Sequence, residues 1–398
     1  MKKIVLLLCC AVLFGCSKRA RLERAAKQGN TKAQFALGVM YASGDGVPRD
    51  EALAAEWYLK AARRGYDKAQ ANLGDLYARG RGVPKDDAKA AEWTEKAASQ
   101  GEPVAQFNLG LMFAEGLGVP KDEARARQWY EKAAEQGDER AQFNLGTLLA
   151  RRHTEQDDAD AVRWLQKAAD QGMAKAQISL GNMYAGGRGV AKDDAKTFEW
   201  NQRAAGRGDA DGQFNLGVMY ATGRGVPKDE AKAAEWYRRA AEQGHDGAQF
   251  NLGVMFASGV GVPKSDAKAV EWYRKAADEG NAVAQANLGS MYAGGVGVPK
   301  DEAEAVAWFQ RAAQQGEPSA QFNLGVMFGN GRGVARDDLR AYAWISLAAA
   351  QKVALAVQVR DRMEAQMTPE QKTAARKLAA EIAATIRPTR AASEPVHQ

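Results

Sequence analysis

Between residues 31 and 350 two kinds of apolar pattern alternate along the chain. In the first, exemplified by QFNLGLMFA at residues 106–114, Leu109 and Phe113 stand four positions apart and so share one face of a helix. In the second, residues 229–243, the residues Trp236, Ala240 and Ala241 are expected to be buried while charged residues point outward. Each unit therefore predicts two helices. In the first helix Gly110 permits close approach of a neighbour.

The alternation is strictly periodic. The nine tryptophans, Trp57, Trp93, Trp129, Trp164, Trp200, Trp236, Trp272, Trp308 and Trp344, are spaced by 36 residues with one interval of 35. On the same ladder AQxxLG recurs from residue 33 onward, with GQFNLG at 212, and Gly-x-Gly-Val begins at 44, 80, 116, 187, 223, 259, 295 and 331. Such spacing is the signature of an internal repeat that accounts for nearly the whole chain. The stretch GRGVPKD, at 80–86 and again at 223–229, is thereby explained as architecture. It also fails as a phosphate cradle, because a P-loop places Lys-Ser/Thr directly after its last glycine.

The junctions supply stop and start signals. The Gly-x-Gly pair ends the first helix by accepting left-handed backbone, Pro120 cannot continue it, Asp122 caps the next helix, and Glu123 complements that helix's dipole. Gly244 ends the second helix of its unit. Glu235–Arg239, Glu56–Lys60 and Glu271–Lys275 are spaced for exposed i, i+4 ion pairs.

These motifs resemble the Sel-one-like repeat, a relative of the tetratricopeptide repeat with a longer turn between its helices. The resemblance covers residues 31–350 as nine repeats and implies an all-α fold, an α/α superhelical solenoid of roughly 36-residue helix-turn-helix units with a concave groove. Residues 16–30 read as a linker and leading half-repeat cap, and residues 351–386 as a C-terminal helical cap in which Thr368, Pro369 and Gln371 form a start signal. The tail 387–398 is expected to be disordered.

The first residues carry a different message. Lys2 and Lys3 precede an apolar run, Ile4 to Phe14, too short to span a bilayer, so residues 1–15 read as a signal peptide. LFGC at 13–16 resembles a lipoprotein lipobox, which implies lipidation at Cys16. Ser17 resembles outer-membrane sorting in Gram-negative bacteria, giving an expected location on the periplasmic face of the outer membrane. All three cysteines lie at positions 9, 10 and 16, so the mature chain would keep only the lipidated one, and packing alone must stabilise it.

Little in the chain offers chemistry. The only histidines are His153, His245 and His397, and no HExxH, GxSxG, Walker or Cys–His ligand pattern occurs. A disulfide-rich branch of the resembled family is linked to β-lactam binding or hydrolysis, but its cysteines are missing, so an enzyme acting on cell-wall or β-lactam substrates is the alternative rather than the expectation. No cofactor or metal is called for. The net charge of +6 is interspersed, which argues against a nucleic-acid footprint.

Binding of another protein is the expected function, with adaptor, regulatory and toxin-immunity roles all open. The residue before Leu-Gly is Asn72, Asn108, Asn144, Asn215, Asn251, Asn287 or Asn323, placed by helical geometry toward the groove. In tetratricopeptide domains a corresponding position holds extended peptides; the other reading is that this ladder ties neighbouring repeats together. The repeat breaks between Gly146 and Asp157, where TLLARRHTEQ loses both glycines, the proline and one residue in length. Arg151, Arg152 and His153 there form a basic spot expected to meet an acidic partner segment. A second departure follows at Asn201 and at Gly206, Gly208 and Gly212.

Overall fold

The computed structural model describes residues 19–386; the signal segment, Cys16 and the tail from Arg387 lie outside them. Among the described residues every regular element is a helix. After α1 (19–27) come the hairpins α2 (Thr31–Ser43) with α3 (Glu51–Ala62), α4 (Asp67–Arg79) with α5 (Asp87–Ser99), α6 (Pro103–Glu115) with α7 (Glu123–Glu135), and α8 (Glu139–Ala150) with α9 (Glu155–Asp170). The series goes on as α10 (Ala174–Gly186) and α11 (Asp194–Gly206), α12 (Ala210–Thr222) and α13 (Glu230–Glu242), α14 (Asp246–Ser258) and α15 (Asp266–Asp278), α16 (Ala282–Gly294) and α17 (Glu302–Gln314), and α18 (Pro318–Asn330) and α19 (Asp338–Ala350). Two terminal helices follow, α20 (Ala354–Gln366) and α21 (Pro369–Thr385).

The chain forms two compact units. One runs to Met183 and includes Arg188–Ala191; the other takes Tyr184–Gly187 and continues from Lys192. Within each, the two helices of a hairpin pack together and the second packs on the first helix of the next hairpin. This is the nearest-neighbour stacking of an α/α solenoid.

Three residue types build the core. The Leu of Leu-Gly is buried in every repeat, from Leu37 to Leu324. The glycine beside it is required by a close approach: a Cβ on Gly217 would overlap the Tyr237 ring, and the same holds for Gly38 with Tyr58, Gly110 with Tyr130 and Gly253 with Tyr273. Alanine pairs such as Ala240 and Ala241 complete the contact and are buried.

Trp236, expected in the core, is only half-buried, and the adjacent Tyr237 takes the core position. The tryptophan instead lies under a cation one helical turn on. Lys60 sits 4.1 Å from the Trp57 ring centre, Arg239 4.6 Å from Trp236 and Lys275 3.9 Å from Trp272, and this arrangement recurs at the other tryptophans through Trp308. Arg239 also pairs with Glu235 at 2.5 Å, as the spacing predicts. Trp344 is the exception: Leu347 stands at the cation's place, and the cluster containing Trp344 has Leu347, Met363, Ile382 of α21 and Ile386 just beyond that helix packed against it. At this end the cluster gains apolar packing from α21 in place of a cation.

The caps follow the sequence signals. Asp86, Asp122 and Asp229 accept from the backbone N–H three residues on, and Gly80, Gly116 and Gly223 close the first helices in left-handed backbone. At α21, Thr368 and Gln371 make the reciprocal capping pair.

Candidate functional site: the repeat junctions and the break at residues 150–154

Most junctions are fastened by an amide that sequence reasoning left without a role. The glutamine of AQxxLG is buried, and at Gln34, Gln70, Gln106, Gln142, Gln177, Gln249, Gln285 and Gln321 its Nε2 donates to an alanine carbonyl on the last turn of the preceding helical element, as Gln70 does to Ala62 at 3.0 Å and Gln285 to Ala277 at 2.9 Å. In six units its oxygen accepts from a glutamine at the end of its own hairpin, Gln100 for Gln70 at 2.6 Å and Gln315 for Gln285 at 2.8 Å, whereas the oxygens of Gln34, Gln177 and Gln249, whose hairpins end on Arg64, Arg207 and Glu279, are buried without a partner. The signal was present: a polar residue invariant across otherwise apolar positions is a satisfied buried donor rather than a surface residue.

The asparagine ladder is half-buried at all seven positions. Asn72, Asn144, Asn251 and Asn287 hydrogen-bond the hydroxyls of Tyr58, Tyr130, Tyr237 and Tyr273, each on the hairpin before. Burial raises all four phenol pKa values, that of Tyr237 to about 12, against the opposing effect of the asparagine. Where Asn201 replaces the tyrosine, Asn215 donates to it at 2.9 Å. The residue preceding Asn323 on this pattern is Phe309 and that preceding Asn108 is Thr94, so neither junction offers a phenol. Beside the ladder the first helices also expose Val39, Leu111 and Val254.

A third fastening involves the turn. The second glycine of Gly-x-Gly sits on a residue in the first turn of the preceding hairpin's second helix so closely that a Cβ would overlap that residue's carbonyl: Gly82 on Glu51, Gly118 on Asp87, Gly189 on Asp158, Gly225 on Asp194, Gly261 on Glu230, Gly297 on Asp266 and Gly333 on Glu302. Where arginine stands between the glycines, it pairs with the acid at that end. Arg81 meets Glu51 at 2.6 Å, Arg224 meets Asp194 at 2.7 Å and Arg332 meets Glu302 at 2.8 Å, with Arg188 and Asp158 making the same pair at 2.5 Å. Arg81 and Arg49 together hold the Glu51 carboxyl down to about 2.

At residues 150–154 this device is missing. α8 ends at Ala150 with Arg151 as its cap residue, His153 adopts a left-handed φ of 53°, and Thr154 caps α9, which is longer than the other second helices at 16 residues. Arg151, Arg152 and His153 are all exposed. Arg152 lies 3.5 Å from Asp157, and Arg127 reaches the same carboxylate at 3.6 Å. Without a turn to cover it, the start of α7 borders an open groove of about 630 Å³, walled by Glu123, Ala124, Arg127, Leu148 and Arg152.

Among the described residues no cluster of three or more His, Cys, Asp or Glu is placed to hold a metal ion, and no helix is long and apolar enough to cross a membrane.

Comparison with known proteins agrees with this architecture. The Sel1 repeat pattern matches nine segments: 31–66, 67–102, 103–138, 139–173, 174–209, 210–245, 247–281, 282–317 and 318–353. The chain belongs to the Sel1 repeat family, whose solenoids act as protein–protein interaction scaffolds and are typically without enzymatic activity. A protective antigen present in uropathogenic Escherichia coli strains, displaying an SLR fold, is 36% identical, with 92% of this chain and 87% of that one covered and a TM-score of 0.58. A Sel1 repeat protein from Oxalobacter formigenes is 32% identical over 88% and 93% of the two chains, with a TM-score of 0.48. An immunity protein from Pseudomonas aeruginosa is 24% identical over 53% and 81%, with a TM-score of 0.33. No curated protein matches the chain.

Proposed function

We propose that this protein is a lipid-anchored scaffold on the periplasmic face of the outer membrane, which binds another protein and catalyses nothing. The observation that carries the reading is the break at residues 150–154. A solenoid whose junctions repeat offers the same surface many times, and recognition of one partner needs a difference. The exposed Arg151, Arg152 and His153, with the groove beside them, are that difference. The asparagine ladder supplies the general contact surface, since half-buried amides held by tyrosine hydroxyls keep hydrogen-bonding capacity toward an extended peptide. Membership of a scaffold family supports the binding role, and adaptor, regulator and toxin-immunity protein are its three versions.

The anchoring part of the proposal rests on LFGC and Ser17 in the sequence. One acyl chain binds a membrane only marginally, and two or more give stable attachment. Two experiments test the reading. Cys16→Ser should release the chain from the membrane fraction and abolish acyl labelling; unchanged fractionation defeats the anchor. Capture from envelope extract with the wild-type chain and with Arg151→Ala/Arg152→Ala should retain one protein on the first and lose it on the second. Turnover of peptidoglycan or of a chromogenic β-lactam by the purified chain would overturn the scaffold reading altogether.

A further inference from the structure

We infer that the uncovered start of α7 is a seat for a glycine-flanked arginine turn donated by the partner protein, which completes the one internal junction left open among the described residues. The inference deepens the reading of the break as the partner-binding surface and rests on it.

Seven junctions of this chain show what fills such a seat. In each, a glycine in left-handed backbone lies against the carbonyl of a residue in the first turn of a second helix, with no room for a Cβ. The residues so covered, Glu51, Asp87, Asp158, Asp194, Glu230, Asp266 and Glu302, are all buried or half-buried. Glu123 occupies the same place on α7, and it is exposed. The turn that would cover it is the one replaced by residues 150–154, and the groove of about 630 Å³ stands where that turn would lie. The one other uncovered member is Asp338, at the end of the array, where Arg336 pairs with it at 3.0 Å and the chain continues into α20 and α21. Glu123 has neither compensation.

Charge names the occupant. Four of the seven covering turns carry arginine between their glycines, and in all four it pairs with the acid beneath. Among the described residues Glu123 forms no salt bridge, although the equivalent acids Asp87, Glu230 and Asp266 pair at least with the lysine two residues before them. The basic side of the groove is in the opposite condition, because Arg127 and Arg152 already share Asp157. The unanswered charge is thus negative, and the Glu123 backbone lacks the glycine that lies against its equivalents. A Gly-Arg-Gly turn answers both: its glycine backbone fits against the carbonyl, and its guanidinium makes a charge-assisted, bidentate pair with the carboxylate.

The test uses the full chain and a defined probe, the blocked peptide Ala-Arg-Gly-Arg-Gly-Val-Pro-Lys, which is this chain's own sequence at residues 78–85. Saturable binding is expected by fluorescence anisotropy. Replacing the arginine between the glycines by alanine should weaken it by about tenfold, and Glu123→Gln in the protein should do the same, the size of one charge-assisted contact. Glu123 is exposed, so this variant keeps the fold, which the thermal midpoint confirms. A second variant, in which residues 150–153 are replaced by the consensus turn, should fill the seat and abolish binding. Absence of peptide binding, or binding indifferent to Glu123→Gln, overturns the inference. Binding of the matching peptide with aspartate at the arginine position, lost in Arg151→Ala/Arg152→Ala, also overturns it. That last result leaves the break as a partner site and assigns it an acidic partner, whereas failure of the capture experiment removes the break itself.

Discussion

The Tyr237 ring lies where a Cβ on Gly217 would have to be, so the two helices of that hairpin are held at a distance only glycine allows. Tyr237→Ala should cost about 3–5 kcal/mol, the range for emptying a buried aromatic site. Gly217→Ala should cost about 1–3 kcal/mol by overpacking the same contact from the other side. Trp236→Ala, one position away but half-exposed, should cost less than either. Urea unfolding gives the totals, and hydrogen exchange should place the loss in α12–α15.

High pH should unfasten the same contact. Burial sets the Tyr237 phenol at about 12, above its ordinary 10, so the neutral form is favoured in the folded chain. A group whose folded pKa is raised contributes stability in full below the unfolded pKa and loses it as pH climbs through the folded one. Stability should therefore fall between pH 10 and 12. Absorbance at 295 nm should show late-titrating tyrosines that move toward pH 10 in Asn251-independent fashion once the chain is unfolded in urea.

The turn arginines make an acid-side prediction of opposite sign. Glu51 is held at about 2, below its ordinary 4.5, by Arg81 and Arg49. Its contribution is complete above pH 4.5 and disappears as pH falls toward 2. Arg81→Ala should raise the carboxyl's titration midpoint, read by carbon NMR, while the thermal midpoint at neutral pH moves little, because exposed pairs contribute little to stability.

At the C-terminal end, the cluster that holds Trp344 is packed by Ile382 of α21 and has no cation over the tryptophan. Ile382→Asp should loosen α21 and expose Trp344, giving a red-shifted tryptophan emission and faster proteolysis after Gln366. The same substitution paired with Leu347→Lys should recover part of the emission, since a cation over the ring is worth about 0.5–1 kcal/mol at an exposed site.

Nearly all of the fold was legible because its signals are local and repeated. Asp122, Gly116 and Thr368 act on neighbouring backbone, so their roles follow from position alone. Trp236 misled because periodicity marks both it and Tyr237 equally, and only the depth of Gly217 decides which of the two enters the core. The open seat at Glu123 was hidden for a different reason: the residue itself matches the pattern, and what is missing lies about thirty residues later, in the turn that another hairpin would have supplied. Arg151, Arg152 and His153 were visible as a departure, but the Asp157 carboxylate shared by Arg127 and Arg152 was not, since it joins two hairpins.

The glutamine fastening has a consequence for how such a chain changes length. Gln70 to Ala62, Gln106 to Ala98, Gln249 to Ala241 and Gln321 to Ala313 are the same bond, so this fastening carries no record of which two units it joins. Copying or excising one whole unit in phase brings together surfaces that already match, with the donor and carbonyl in place. An insertion of any other size leaves a buried amide without its acceptor, a penalty of about 1–3 kcal/mol at the seam. The shortened fourth unit marks the tolerance of the device: it has shed its turn, yet Gln142 still reaches Ala134 at 3.1 Å and Gln171 still reaches Gln142 at 2.8 Å. One turn has diverged in this protein while the amides on either side of it stayed paired, so that seam relies on its glutamines.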